Sequence, residues 1–456
     1  MADARIETLI ILGAGGDLTS RLLLPGLGSL LASSRGQSLQ LIGVDRGAMS
    51  DAKWRSVVTN SFSPFPSKLG ASVAGDATYL QADATSTDDL ARVLAAATGR
   101  VAIYFALPPA VAQLVCTTLS KMELPPGTLL ALEKPFGTDS RSASALNRLL
   151  SKFVMEDQVF RVDHFLGKST VLNLIGLRFA NRIFEPLLSA QNVERVEILI
   201  EEELGLEGRA AYYDHAGALV DMIQSHLLLV LALATMEPPS SVNSEDLRGA
   251  MAQVLRATRP WKKDGTSSRR ARYTAGKVGR RTMPAYASEK GVMKERQTET
   301  LAEVTLAIDT WRWAGVPFTL RSGKALSEPR QEIVITFRDV PHLPTGFQRP
   351  KSQAQLRIGV KPATLEFDLV TNGRDDPFDL EWDTLRSEFG PSELSAYGEV
   401  LAELLEGDPT LSVRGDIAEQ NWRIVAPVLN AWRKNLVPLD TYPAGSRGPR
   451  GWKSIS

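Results

Sequence analysis

Within eight consecutive residues, Arg161-Val162-Asp163-His164-Phe165-Leu166-Gly167-Lys168, the chain sets a carboxylate, an imidazole and an ammonium. An acid beside an imidazole can move a proton near neutral pH, and an imidazole beside an ammonium can grip an anion. There are only four histidines in 456 residues, so the concentration is selective. Asp163 and Lys168 lie five apart and do not share a helix face. A turn leading into a helix near Gly167 would bring all three polar groups together. The plain alternative is a charge cluster on the surface.

A second group lies downstream. After an apolar strand over residues 193–200 comes Glu201-Glu202-Glu203, and residues 218–234 form a long apolar helix interrupted by Asp221, Gln224, Ser225 and His226. Asp221, Gln224 and Ser225 are three or four apart, which makes one polar stripe. His226 sits beside that stripe in an otherwise buried helix. It is either a satisfied core histidine or a base, and a base needs an acid such as Asp163.

The elements that would hold these groups begin with a nucleotide-binding pattern. Thr8–Leu12 is a short apolar run that ends in Gly13-Ala14-Gly15-Gly16-Asp17-Leu18, after which leucines recur at helical spacing. Glycines let the backbone approach a pyrophosphate, and the helix behind them offers N–H groups and a positive dipole end. A second strand over residues 39–44 completes a βαβ unit and ends in Asp45-Arg46. An acid there accepts from the ribose hydroxyls of NAD, whereas an arginine grips the 2′-phosphate of NADP. At about 5 Å and an effective dielectric of ~20 the two effects are each roughly 3 kcal/mol, so the choice stays open. Strand–helix alternation continues through residues 78–82 and a helix opening at Thr87. It goes on through an unbroken apolar strand over 101–107, which meets Pro108-Pro109, and a strand over 128–132 before Glu133-Lys134-Pro135-Phe136-Gly137. Strands this apolar are buried on both faces, and Lys134 falls at a strand's carboxyl end, where open α/β sheets bind ligands. An ordinary strand-end turn is the alternative. Asp139-Ser140 caps the next helix.

Composition bounds the function. The chain is 43% hydrophobic and 23% charged, with Lys+Arg and Asp+Glu both at 52. It is long enough for two full-sized domains, and it lacks the net basic field that draws proteins to nucleic acid or anionic membranes. The run Arg269-Arg270-Ala271-Arg272 reads as a solvated loop or the rim of an anionic site. One cysteine, Cys116, excludes an internal disulfide and a multi-cysteine metal site, and reads as a small buried residue. No apolar run reaches the ~18 residues of a membrane span, the nearest being residues 227–234, and the N-terminus lacks a signal-peptide pattern. The expectation is a cytoplasmic enzyme without a metal, a membrane or a nucleic-acid partner.

Longer motifs now stand out: GAGGDLTSRLLLP from Gly13, EKPFG from Glu133, RVDHFLGK from Arg161, LRFANRIFEP from Leu177 and LEGRAAYYDHAGALVDMIQSH from Leu206. They are followed by MEPP from Met236, WRWAGVPFTLRSGKAL from Trp311 and YPAGSRGP from Tyr442. Together, in this order, they resemble the glucose-6-phosphate dehydrogenase family along nearly the whole chain. The resemblance implies a Rossmann-like doubly wound coenzyme domain over residues 1–165. It implies an α+β domain with a large, mainly antiparallel sheet over 166–456, which binds substrate and forms a homodimer or homotetramer. Alternating segments at 332–337, 355–360 and 364–369 suit that sheet. It further implies His226 as general base and Asp163 as its orienting acid. His164 and Lys168 would then hold the sugar phosphate, Glu202 and Asp221 the sugar hydroxyls, and Lys324 the substrate, with Lys134 bridging substrate and cofactor. The cofactor-binding set is Gly13, Gly15, Gly16, Asp17, Leu18, Asp45, Arg46, Pro108 and Lys134, with NADP as the cofactor and NAD possible. The implied reaction oxidises a cyclic hemiacetal of glucose 6-phosphate to a lactone, the entry step of the pentose phosphate pathway.

The chain also departs from the pattern of the family it resembles. Gly15 stands where serine is common and Leu22 where a basic residue is frequent. Ser225 replaces asparagine, and Arg447 replaces tryptophan. Pro329 occupies the place of a second substrate-binding basic residue, and the adjacent Arg330 would point the other way in an extended segment. Two other readings follow: a dehydrogenase of a different phosphorylated aldose, and a catalytically silent nucleotide-binding relative.

Overall fold

The structure is a computed structural model and describes residues 5–208, 210–347, 353–376, 378–390 and 392–452. The chain forms two compact units. The first comprises residues 1–172, 239–252 and 392–420, and the second residues 173–238, 253–391 and 421–456.

The first unit is built on six parallel strands, β1 (Thr8–Leu12), β2 (Gln40–Asp45), β3 (Thr78–Gln81), β4 (Val101–Phe105), β5 (Leu129–Glu133) and β6 (Val159–Val162), in the order β3-β2-β1-β4-β5-β6. Period-two alternation between two covered faces explains why β1 is buried throughout. Leu9 and Ile11 enter one core with Leu27, Leu30 and Trp54, while Ile10 and Leu12 enter the other with Val115, Leu119 and Leu146. The order reverses at β1, which pairs with both β2 and β4 and opens a crevice at its carboxyl end.

A helix from late in the chain, Ala396–Glu406, closes the first of these cores with Leu401, Leu404 and Leu405. Ser395 caps it by accepting from Gly398 N–H, and Gly407 ends it in the left-handed conformation. Each fully buried leucine contributes about 1.5–3 kcal/mol, and Leu405→Ala would cost about 2–5 kcal/mol through the cavity it leaves. Arg35 fastens the outer face of this helix through Glu399, Glu403 and Glu406.

The second unit carries a ten-stranded sheet. Its strands are β7 (Val193–Glu201), β8 (Thr258–Pro260), β9 (Ser268–Thr274), β12 (Leu301–Ile308), β13 (Phe318–Gly323), β14 (Arg330–Phe337), β15 (Gln355–Lys361), β16 (Thr364–Asn372), β17 (Leu380–Glu388) and β18 (Leu439–Pro443). A separate ribbon pairs β10 (Gly276–Val278) with β11 (Arg281–Met283). The order is β17-β16-β15-β14-β7-β13-β12-β9-β18, with β8 on β12. Among the described strands of this sheet, only β7–β13 and β9–β18 pair in parallel. The three alternating segments expected to be strands fall in β14, β15 and β16. The buried core includes the helical stretch Tyr212–Thr235, interrupted at Gly217, which is long and apolar enough to cross a membrane but has 78% of its apolar window buried inside the protein.

Two smaller expectations meet different outcomes. Cys116 is buried, and desolvation pushes its thiol up to about 12. The basic run 269–272 is neither a solvated loop nor an open rim, because it forms most of β9. There Arg270 is buried and donates to the carbonyls of Val437 and Trp432, and Arg272 donates to that of Thr298. Strand alternation turns guanidinium groups inward, where they donate to backbone carbonyls, although Arg272 Nη2 is buried without a hydrogen bond.

Candidate active site

The glycine turn lies at the switch point of the first unit. Gly13 has φ 91°, and a Cβ there would run into the carbonyl oxygen of Ala106, so no other residue fits. Gly13 and Ala14 both donate to Val44 O, and Thr19 Oγ1 donates to Gly13 O at 2.9 Å, which ties turn to strand and helix. Asp17 and Leu18 lead into that helix. Its first five residues, Thr19–Leu23, make wide turns, with Leu24 N–H reaching Thr19 O. Asp17 is exposed and pairs with Arg21 at 3.0 Å. Asp45 ends β2 and accepts Gly15 N–H at 3.0 Å, while Arg46 beside it is exposed. Pro108 follows β4 and precedes the helix Pro109–Leu119. A strand, a turn closed to any Cβ, a following helix and an acid at the next strand's end together suit a dinucleotide.

Lys134 follows β5, and its bond to Pro135 is cis. The preceding Glu133 is a residue that motif reading passed over. Its Oε1 accepts the hydroxyls of Tyr104, at 2.5 Å, and of Tyr397, at 3.3 Å. Burial pushes the Glu133 carboxyl up to about 7, although these tyrosines and Lys134 favour its charged form. Tyr397 lies face to face with His164, with ring centroids 5.8 Å apart.

The junction stretch is a turn followed by a helix, Ser169–Phe179, as its spacing suggested. Leu166 N–H closes on Asp163 O at 3.0 Å, and Asp163 Oδ1 accepts Phe165 N–H at 2.8 Å. Asp163 is 1% exposed, whereas His164 and Lys168 are half-buried, so this is not a surface charge cluster. Burial raises the Asp163 pKa, opposed by the charges of His164, Lys134 and Lys168. The Lys168 ammonium sits 3.6 Å from the centre of the Phe165 ring. Arg161, in the same motif, has a different task. It is buried and joins Glu156 at 2.6 Å, Asn147 at 2.8 Å and the carbonyl of Val413.

In the second unit, Lys324 Nζ and Glu202 Oε2 meet at 2.6 Å, with Lys324 5.4 Å from the Tyr213 ring centre. Tyr442, from the YPAGSRGP motif, fixes the Lys324 backbone by donating to its carbonyl at 2.6 Å. The helical stretch with His226 breaks at Gly217, whose φ of 66° and ψ of 176° are not helical. A Cβ there would collide with the carboxylate of Glu299, which accepts Leu219 N–H at 2.9 Å and so holds the new helix start. From Leu219 to Leu227 the turns widen, and Leu228 N–H reaches Ile223 O, five residues back. Wide turns of this kind concentrate at functional sites. This segment carries Asp221, Gln224, Ser225 and His226. His226 and Gln224 are buried, Ser225 Oγ donates to Asp221 O at 2.6 Å, and the Tyr212 hydroxyl lies 3.5 Å from Asp221 Oδ1. The expected even polar stripe is therefore partly internal. Glu299 and Tyr397 have no local spacing that would have marked them, because each acts on a distant segment. Arg330 is exposed and pairs with Glu332 at 2.7 Å.

Comparison with known proteins covers the whole chain. Residues 10–173 match the family model described as glucose-6-phosphate dehydrogenase, NAD binding domain, and residues 175–455 match glucose-6-phosphate dehydrogenase, C-terminal domain. A glucose-6-phosphate 1-dehydrogenase of Gluconobacter oxydans is 37% identical over 96% of this chain and 94% of its own length. One from Treponema pallidum is 34% identical over 97% and 92%. A crystal structure of glucose-6-phosphate 1-dehydrogenase from Mycobacterium avium superposes with a TM-score of 0.86 at 32% identity, covering 98% of this chain and 95% of that one.

Proposed function

The chain belongs to the glucose-6-phosphate dehydrogenase family, and on that premise we propose how its residues divide the reaction. The activity is oxidation of glucose 6-phosphate at C1 to 6-phosphogluconolactone with NAD(P), the entry step of the pentose phosphate pathway. When bound, the dinucleotide supplies the hydride acceptor. As C1 gives up hydride, its hydroxyl must lose a proton. We assign that proton to the His226 imidazole and assign Asp163 to orient the ring and stabilise its cationic form. His164 and Lys168 take the sugar phosphate, which is remote from the reacting bond and so contributes orientation. Glu202 and Asp221 accept sugar hydroxyls, Lys324 holds Glu202 and the substrate, and Lys134 stands between sugar and dinucleotide. Gly13, Gly15, Gly16, Asp17, Leu18, Asp45, Arg46 and Pro108 form the cofactor side.

The observation that carries this division is the single turn that buries Asp163 while leaving His164 and Lys168 half-exposed. An acid shielded from water suits partnership with an imidazole, and an accessible ammonium beside an imidazole N–H suits an anion. The test is the rise in absorbance of reduced nicotinamide when purified protein meets glucose 6-phosphate, with NADP and NAD in separate runs. Absence of signal from a folded sample would overturn the assignment.

We assign residues 1–165 to dinucleotide binding and 166–456 to substrate binding and assembly as a homodimer or homotetramer. Supporting assembly, the outermost strands of the large sheet expose Val370, Trp382 and Leu385, and Phe378 is exposed between them. Light scattering should return a multiple of the 49.7 kDa chain mass, and a monomer at assay concentration would contradict it. A cytoplasmic location fits a reaction drawing on two charged metabolites that cells retain.

A further inference from the structure

Asp45 is held by the backbone on both of its carboxylate oxygens. Oδ2 accepts Gly15 N–H at 3.0 Å, and Oδ1 accepts Arg46 N–H at 2.7 Å with Gly47 N–H at 3.5 Å. The loop beyond is fastened in turn, since Gln81 Nε2 donates to Arg46 O at 3.0 Å and the Tyr79 hydroxyl to Gly47 O at 2.5 Å. A carboxylate oriented in this way stays in place at the carboxyl end of β2. With about four lone-pair directions it can still accept from a ribose hydroxyl. A 2′-phosphate in the same place would meet its negative charge.

Gly15 is the other half of the arrangement. A Cβ at position 15 would lie 3.1 Å from Asp45 Oδ2, closer than ordinary contact, so a side chain there would push the carboxylate by a few tenths of an ångström from its bond to Gly15 N–H. Glycine at 15 and aspartate at 45 are thus matched to each other. Arg46, a group that favours a 2′-phosphate, is exposed and screened by water, whereas Asp45 is half-buried. We propose that the Gly15–Asp45 pair makes this enzyme select NAD over NADP. The proposal rests on the reading of the first unit as the dinucleotide site.

Binding is measured on the full chain without sugar, by titrating NADH and NADPH and following nicotinamide fluorescence. In parallel, kcat/KM is measured for NAD and NADP with glucose 6-phosphate. The wild type should bind NADH more tightly than NADPH. Asp45→Asn keeps the shape and removes the charge, and should shift the ratio toward NADPH by about tenfold, equivalent to roughly 1.4 kcal/mol. Gly15→Ser should shift it the same way, and Arg46→Ala the opposite way. A wild type that prefers NADPH, or an Asp45→Asn ratio within about twofold of wild type, overturns the proposal and leaves the dinucleotide site standing. Failure to bind either nucleotide overturns both.

Discussion

Tyr397 and His164 are stacked, their ring planes 10° apart and their centroids separated by 5.8 Å. The tyrosine is in turn tied to Glu133 through its hydroxyl. A half-buried imidazole assigned to a phosphate is thereby kept in one plane by a helix from the far end of the chain.

If that stack orients His164, Tyr397→Leu should raise KM for glucose 6-phosphate about three- to tenfold, from the ~0.5–1.5 kcal/mol of an aromatic pair. Turnover should change little. Tyr397→Phe keeps the stack and should recover most of the loss. Steady-state kinetics decide, and equal KM values for wild type and the leucine variant would rule the role out.

His226→Asn removes the assigned base from an otherwise similar shape. Turnover should fall by about 10²–10⁴-fold with KM nearly unchanged. A folded variant with near-normal turnover would show that another group takes the proton.

Lys168→Ala should weaken sugar-phosphate binding by about 1.5–3 kcal/mol, the range for a hydrogen bond to a charged group. The check is a comparison of kcat/KM for glucose 6-phosphate and glucose. Equal losses with both sugars would contradict a phosphate-specific contact.

Glu299 predicts a pH signature in stability. Burial pushes its carboxyl up to about 7, against 4.5 for an ordinary glutamate, despite Arg270, Arg272 and the Leu219 N–H favouring the charged form. A pKa raised on folding means the neutral acid favours the folded state. That contribution is complete below pH 4.5 and is lost as pH rises through about 7. Glutamine cannot titrate, so the melting temperature of wild type minus that of Glu299→Gln should be largest in acid and shrink toward weakly alkaline pH. Melting curves of both proteins across this range would refute the account if the difference grew with pH.

Local pattern was enough for what local pattern determines. The run Thr8–Leu12 before Gly13 showed the first strand and turn, because alternation and a glycine-only conformation are written in adjacent residues. The apolar stretch around His226 likewise declared a buried helix. Its break at Gly217 was hidden, since the carboxylate that caps the next turn lies 80 residues away from Leu219. Tyr397 was hidden for the same reason, being 264 residues from the Glu133 that it joins. The arginines of β9 misled because residue type alone cannot tell an inward-facing strand position, donating to carbonyls, from a solvated loop.

The widened turns from Leu219 to Leu227 set a limit on how this chain can change length. An α-helix takes 3.6 residues per turn and a turn closed by i to i−5 bonds takes more, so the widened turns hold extra chain, and deleting one residue there would draw the segment toward ordinary i to i−4 bonding. Asp221, Gln224, Ser225 and His226 all lie within the segment, so their relative directions depend on the widened turns. A change of length within these nine residues therefore changes which side chains share a face.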